Sequence, residues 1–505
     1  MPQSVIVFAE KYTKWVVLFL LLYFPIFLNL DVLPIRLWDE SQNAVNAYEM
    51  LHNGNWLVPT YGFKPDMFSL KPSLPAILEM LCMKVLGPGE LAVRLPSAIA
   101  ALSICLFFMF IAIRLFGSFW LGFIACMVLV TSSGYINEHV ARTGDGDSLL
   151  VLFTTLYGLS FFIATEKRNE PGPNRYAHLF FVSLILATLT KGVAGLLFLP
   201  ALFLYTFFSR SFLWWLKNPL TYLYAALLIG VNVFYYWYRE AHSPGYWQQV
   251  MDIDLFGRFS KSVDGHEGDW WFYLELMKQY LLSSWLYLLP VAAVGGYLLT
   301  TGVSRKLVVY ASLLVVVHHL IIASAQSKLE WYPAPEYPYI ALIIAVFIYH
   351  FYQMIEAYAT QQKPSLFYRL LPFLFLMLVF QWPYRTIVEK VYYKRETYWD
   401  AQQLDMSYYL RGAVKRERDI NGYHFTGTDY SRHIDFYLYL LKDEGINVQR
   451  RDVEDIKPGD KVIVYQQSIA DILWNRYELE QIEQYKTAVR VFVVKGIKSQ
   501  TSPSS

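Results

Sequence analysis

The side chains able to do chemistry lie between the apolar runs rather than within them. The first group, Leu37-Trp38-Asp39-Glu40-Ser41-Gln42, sets two adjacent carboxylates where an apolar segment gives way to a long polar one. A second, Ala141-Arg142-Thr143-Gly144-Asp145-Gly146-Asp147-Ser148, adds two more ahead of another apolar run. Each has a plain alternative. Asp39 with Gln42 fits a capping box opening a helix over 40–51, and Asp147 or Ser148 fits the N-cap of the apolar helix that follows. Asp145-Gly146-Asp147 imitates the metal-binding DxD of soluble nucleotide-sugar transferases, but that motif belongs to an α/β domain and this one precedes a membrane segment. Taken together, up to four carboxylates gather on one membrane face. Like-charge repulsion makes such a cluster costly unless a cation, a substrate hydroxyl or a basic partner is present.

Basic counterparts occur in the same compartment: Lys71 in Leu70-Lys71-Pro72, Lys191 in Leu189-Thr190-Lys191-Gly192, Lys328 in Ser327-Lys328-Leu329-Glu330-Trp331-Tyr332-Pro333, and Arg258 and His266 in the stretch 257–271. Singly, such residues are commonly snorkelling or interfacial; as a set they can hold a phosphate while carboxylates act beside it. His266 with Glu267 and Asp269 offers donors for a divalent metal, though the spacing matches no recognised metal signature, and the metal question stays open. The sequence shows neither a Gly-rich phosphate loop nor a Ser-His-Asp or Cys-His pattern.

The elements that must position these groups are membrane helices. Of 505 residues, 55% are apolar and 18% aromatic, and the mean hydropathy is +0.30, which suits a polytopic membrane protein with interfacial Trp and Tyr. Apolar segments at 15–30, 95–116, 119–136, 148–165, 176–189, 193–208, 220–237, 281–299, 307–323, 337–350 and 365–382 predict about eleven spans. The segment 72–87, interrupted by Pro75, Glu79 and Lys84, reads as a helix lying in the interface. Arg114, Lys167, Arg168, Arg175, Arg210, Lys217, Arg305, Lys306, Lys363 and Arg369 fall in one set of short loops, and only Arg142, Lys191 and Lys328 in the other. That bias places the N-terminus in the cytoplasm, as an uncleaved first span, and turns loops 31–94 and 238–280 outward.

From about residue 384 the composition is that of a soluble domain. Helices over 388–412 and 430–443 and strands over 423–426, 461–465 and 489–494 predict a small outer α/β domain spanning 384–498, followed by a disordered tail at 499–505. Cys82, Cys105 and Cys126 read as core residues. A net charge of +2 argues against nucleic acid as a partner.

The motifs in order (WDE, KP at Lys71, ART…D, TKG at Lys191, GRFS…DGHEGDWWFY and SKLEWYPAPEYP) resemble the GT-C membrane glycosyltransferases. The similarity is to the branch of bacterial aminoarabinose (lipid A) transferases and protein O-mannosyltransferase-like enzymes, and it covers roughly residues 10–350. It implies a GT-C fold of about eleven transmembrane helices in residues 1–383, in a bacterial inner membrane, with the C-terminal domain periplasmic. It also implies transfer of a sugar from a polyprenyl-phosphate donor to a lipid, glycan or protein hydroxyl, with inversion. Asp39 matches the catalytic loop-one Asp; Asp147 best matches the second-loop carboxylate, with Asp145 as its alternative. Lys71 matches a donor-phosphate lysine, Arg258 and His266 the long-loop motif, and Lys328 and Tyr332 the late SK-x-x-WY segment.

Two departures stand out: Gln42 where aminoarabinose transferases carry Arg, and Leu70 where they carry an acid before the lysine. They leave the acceptor and a family-type metal site unassigned. The residues permit direct displacement, with Asp39 as base, the cations on the departing phosphate, Asp147 orienting, and Glu40 as the last-ranked carboxylate. The alternative is a lipid or solute transporter, for which His318 and His319 inside a span are the supporting feature.

Overall fold

The computed structural model describes residues 3–136, 139–171, 174–255, 257, 267–362, 365–393, 401–427 and 430–498. Among the described residues, seven helices are long and apolar enough to cross a membrane: Glu90–Phe116, Asp147–Glu166, Arg175–Leu196, Pro219–His242, Gly302–Ser324, Ala334–Gln361 and Leu366–Tyr392. Four shorter apolar helices accompany them, Tyr12–Phe27, Phe119–Val130, Leu199–Phe208 and Leu288–Leu299. Apolar runs of this kind satisfy every backbone group internally, which is what a bilayer demands. The chain is a membrane protein.

Within the bundle, Asp147–Glu166 is the most enclosed of the long helices and Pro219–His242 the least. Lipid gives no hydrophobic drive for helices to meet, so close backbone approach and hydrogen bonds do that work. Gly158 shows it: a methyl group there would stand 1.9 Å from the Tyr339 hydroxyl. Tyr339 donates to the Thr154 carbonyl at 2.8 Å, and Tyr310 donates to that of Gly158 at 2.5 Å. Cys105 and Cys126 are buried in this core, the Cys126 thiol donating to the Cys105 carbonyl.

Above the bundle lies a polar-capped layer built from helices Asp39–Asn53 and Leu74–Leu86. The C-terminal region rests on it. Its five-stranded sheet runs in the order β4-β3-β5-β7-β6, with β3 His424–Phe425, β4 Gln449–Arg450, β5 Lys461–Val464, β6 Tyr477–Tyr485 and β7 Val489–Ile497; a separate ribbon pairs β1 Thr60–Tyr61 with β2 Lys64–Pro65. β3 is parallel to β4 and β5, while β7 is antiparallel to β5 and β6. The expected connecting helix over 388–412 is instead two helices, Leu366–Tyr392 and Ala401–Val414; Tyr393 leaves the first in extended conformation. Its neighbour at 430–443 is observed as Arg432–Asp443.

One hydrophobic core runs through both layers: Val45, Tyr48, Met80 and Val93 pack in the same cluster as Met406, Phe425, Phe436 and Val491. Polar ties reinforce it. Arg432 makes a two-pronged ion pair with Asp66 at 2.5 and 3.0 Å, Tyr437 donates to Glu90 at 2.7 Å, and Tyr48 donates to Asp443 at 2.8 Å. Asp66 and Arg432 are 2% and 1% exposed. Burial works against the Asp66 carboxylate, but Arg432 and Asn46 outweigh it and hold the group below its usual range. The depressed value means that this pair stabilises the fold above the unfolded carboxyl pKa of about 4. The contribution is lost only as pH falls through the lower folded value. Removing one partner of a buried pair strands the other, so Arg432→Leu is expected to cost about 3–5 kcal/mol. Asp66→Leu/Arg432→Leu should recover much of that loss. Thermal unfolding of the three proteins in detergent checks this; a double variant no more stable than the single one would refute it.

Candidate active site

The first carboxylate pair is divided by its surroundings. Trp38, at φ 72°, turns the chain into helix Asp39–Asn53 and makes no side-chain cap. Asp39 is therefore the first helical residue and not the cap of the expected box, with its carboxylate in the favourable N-terminal field. The Trp38 ring lies 5.0 Å from that of Tyr430. Glu40 points inward. It accepts from Arg94 Nε at 2.7 Å and Nη2 at 2.9 Å, and from the backbone N–H groups of Arg36 and Gly144 at 2.8 and 3.0 Å. Burial alone would raise its pKa; the guanidinium and the two amides more than offset this and hold it low. Arg94 gives its remaining N–H groups to the carbonyls of Leu30, Leu33 and Pro34.

This clasp also sets the second acidic loop. Gly144 sits so close that a Cβ would stand 2.3 Å from Val93 Cγ1, and Asn43 donates to its carbonyl at 2.9 Å. Arg142 anchors the same loop to the carbonyls of Pro25, Ile26 and Leu28 at the end of the first helix. Gly146, not Asp147, precedes helix Asp147–Glu166, and no side chain caps it. Both Asp147 oxygens instead accept from Lys191 Nζ at 2.5 Å. Asp145 faces His139, whose Nδ1 is 3.5 Å from its Oδ2. The His139 ring stacks on Trp331 at 3.7 Å. Burial disfavours its charged form, but Asp145, then Asp39 and Asp147, raise its pKa to about 9. Behind them, burial and then the Asp145 and Glu40 charges push the Glu79 carboxyl well above its usual range.

Two cavities meet at this point. A polar one of about 130 Å³ is lined by Asp39, Gln42, Asn43, Lys71, Asp147 and Lys191, among others. A larger, apolar one of about 250 Å³ is walled by Leu150, Val193, Leu197, Leu255, Ile321 and Ile322, with Tyr332 and His318. Lys71, Asp147, Lys191 and Asp254 belong to both. The strand of loop carrying Lys71 is held from below. Fully buried Arg239 donates to the carbonyls of Asp66 and Ser69, and Tyr246 to that of Leu70. Such a junction offers an apolar slot ending at two ammonium groups with Asp147 and Asp254 among them, and Asp39 on the polar side.

Of the residues singled out in the sequence, Asp39, Lys71, Asp147 and Tyr332 line this pair of cavities, and Asp145 lies beside Asp39. Glu40 is committed to Arg94. Lys328 donates to the carbonyls of Ala323 and Ala325, closing the end of helix Gly302–Ser324, and does not line either cavity. Arg258 and His266 lie outside the described residues. Lys191, noted in the sequence as a basic counterpart and in the TKG motif but given no role of its own, stands at the centre, while His139 and Asp254 carried no motif signal. His318 and His319 both bind the fully buried Glu336, at 2.8 and 3.2 Å.

Comparison with known proteins agrees with this layout. A family described as dolichyl-phosphate-mannose-protein mannosyltransferase matches residues 71–237. An undecaprenyl phosphate-alpha-4-amino-4-deoxy-L-arabinose arabinosyl transferase of Shewanella sediminis is 26% identical over 63% of the chain and 58% of the relative. One from Aeromonas hydrophila is 28% identical over 66% and 59%. The chain thus spans just under three-fifths of these relatives' length. The crystal structure of ArnT from Cupriavidus metallidurans bound to undecaprenyl phosphate superposes with a TM-score of 0.70 at 15% identity, covering 96% of this chain and 98% of that one. The chain has the fold of that structure and is similar in sequence, over about two thirds of its length, to the aminoarabinose transferases.

Proposed function

We propose that this protein is an inverting glycosyltransferase that moves a sugar from a polyprenyl-phosphate donor to an acceptor hydroxyl at the outer face of a bacterial inner membrane. The observation that carries this reading is the junction of an apolar and a polar cavity along Lys71, Asp147, Lys191 and Asp254. A prenyl chain fits the apolar side and a saccharide the polar side, which leaves the phosphate between them at the lysines. The relatives named above, as undecaprenyl-phosphate arabinosyl transferases and as a structure with undecaprenyl phosphate bound, support the same donor class. The excess of Lys and Arg in alternate loops supports a cytoplasmic N-terminus, with the site and residues 384–498 outside.

In the proposed step, the acceptor hydroxyl oxygen bonds to the anomeric carbon from the face opposite the phosphate. The bond from that carbon to the phosphate oxygen breaks, and the electron pair leaves with the lipid phosphate. Asp39 takes the hydroxyl proton. Lys71 and Lys191 stabilise the charge growing on the phosphate, and ammonium groups fixed beforehand in a dry site are effective at this. Asp147 holds Lys191 in place, and Tyr332 borders the lipid side. Asp145 stands beside the base, while Glu40 acts only by fixing the loop. Arg258, His266 and Lys328 remain assigned to the donor by resemblance alone. A transporter is the weaker reading, because His318 and His319, its supporting feature, are both held through Nδ1 by the buried Glu336.

Two outcomes follow for purified protein assayed with a polyprenyl-phosphate sugar. Asp39→Asn is expected to lower kcat by about 10²–10⁴-fold while donor binding is kept; full turnover in a folded variant removes Asp39 as base. Lys71→Met should cost roughly 10²–10³-fold in kcat/KM and weaken capture of the free lipid phosphate. Unchanged lipid-phosphate binding would place the phosphate elsewhere.

A further inference from the structure

We infer that the acceptor is a sugar ring, seated on an aromatic ledge that Trp38, Phe68 and Tyr430 form beside the polar cavity. The inference rests on the transferase reading for the word acceptor; the ledge binds carbohydrate whether or not transfer follows. Trp38 is 62% exposed and Phe68 74%. Phe68 lines the polar cavity. Trp38 immediately precedes Asp39, and its ring lies 5.0 Å from that of half-buried Tyr430. One guanidinium gathers the rings: Arg432 is 5.9 Å from the Phe68 ring, 5.7 Å from that of Tyr430 and 4.3 Å from that of Tyr61.

Large rings turned outward lose the stabilisation that burial would bring, and the backbone adds to that cost. Trp38 sits at φ 72°, a conformation that a bulky side chain seldom takes. Strain of this kind persists where the surrounding structure holds a side chain for a task. Anchoring in the bilayer interface is the ordinary task of exposed Trp and Phe, but it does not fit here. Tyr430 and Arg432 belong to the region beyond the last span, which rests on the outer layer. The Tyr430 phenol also stands within electrostatic reach of the base. Burial raises its pKa, Arg432 opposes this, and the Asp39 and Asp66 charges add to the rise.

The groups next to the ledge select its occupant. The C–H face of a sugar ring carries slight positive charge and packs on the electron-rich face of an aromatic ring. Its hydroxyl rim needs partners that both donate and accept. Past the two lysines the polar cavity presents Asp39 and the amides of Gln42 and Asn43, one anion and two neutral groups of that kind. A prenyl or acyl chain would use the rings and leave the amides without partners, and the apolar cavity already suits such a chain. An anionic acceptor would meet the charge of Asp39. A sugar laid on Trp38 has its rim at the adjoining residue, which is the base. Because Tyr430 and Arg432 come from the C-terminal region, that region completes the acceptor side.

The test is saturation-transfer NMR on full-length protein in nanodiscs loaded with undecaprenyl phosphate, with irradiation of the aromatic protons. The probes are methyl glucoside, methyl galactoside, methyl mannoside and N-acetylglucosamine, each titrated, with a Ser- and Thr-containing peptide alongside. Saturation should reach the C–H protons on one face of at least one sugar and bypass the peptide. An aromatic contact is worth roughly 2- to 10-fold in affinity, so Phe68→Leu and Trp38→Leu should each weaken binding on that scale. Trp38→Phe, which keeps a ring, should recover most of the loss and so separates contact from folding. No saturation of any sugar, binding unaltered in both ring-removing variants, no recovery in Trp38→Phe, or saturation of the peptide instead overturns the inference. Sugar contact in a protein that transfers nothing removes the transferase and keeps the ledge; transfer to an acceptor that never touches these rings does the reverse.

Discussion

Everything at the membrane surface hangs on one buried guanidinium. Arg94 spends all five of its N–H groups on Glu40 and on three carbonyls of the chain segment before it. An Arg taken out of water needs this completeness, because a half-satisfied buried charge is far costlier than none. The same Glu40 carboxylate reaches across to the amide of Gly144. One contact thus fixes the exit of the first helix, the start of Asp39–Asn53 and the acidic loop before Asp147–Glu166. Asp39 and Asp145 inherit their positions from it.

The cation wall between the cavities obeys the same rule. Lys191 sits in a site too dry to tolerate a lone ammonium, and Asp147 supplies the counter-charge at salt-bridge distance. A phosphate arriving from the apolar side meets positive charge that has been organised in advance and needs no solvent shell stripped at that moment. The asymmetry of the two hollows, one greasy and one polar, then dictates the order in which a lipid-linked substrate is laid out.

How much of this could be read from the sequence depended on whether a residue's task was local. Asp39, Lys71 and Asp147 stood out because each breaks an apolar pattern at a helix end, and all three line the cavities. Capping was equally legible and did not occur: Gly146 precedes Asp147, and the Asp147 oxygens go to a lysine 44 positions away. The division of labour between Asp39 and Glu40 was invisible, since the partner that claims Glu40 is 54 positions distant. His139 was passed over because nothing local distinguishes a histidine in a short loop; its meaning comes from Trp331 and Asp145. The two-residue strands β3 and β4 are too short to carry a periodic signal, and a helix expected to run through 388–412 ends at Tyr392.

The tie between Asp66 and Arg432 spans 366 positions, and it has a bearing on biogenesis. While the nascent chain is threaded into the bilayer, the Asp66 carboxylate has Asn46 and the Phe68 amide near it in sequence, but must wait for its guanidinium until residue 432 has been made. The loop that bears Lys71 begins five residues later and shares that delay. Order of synthesis thus enters the shape of the hollow, since the loop beside it gains this anchor only after Arg432 has docked.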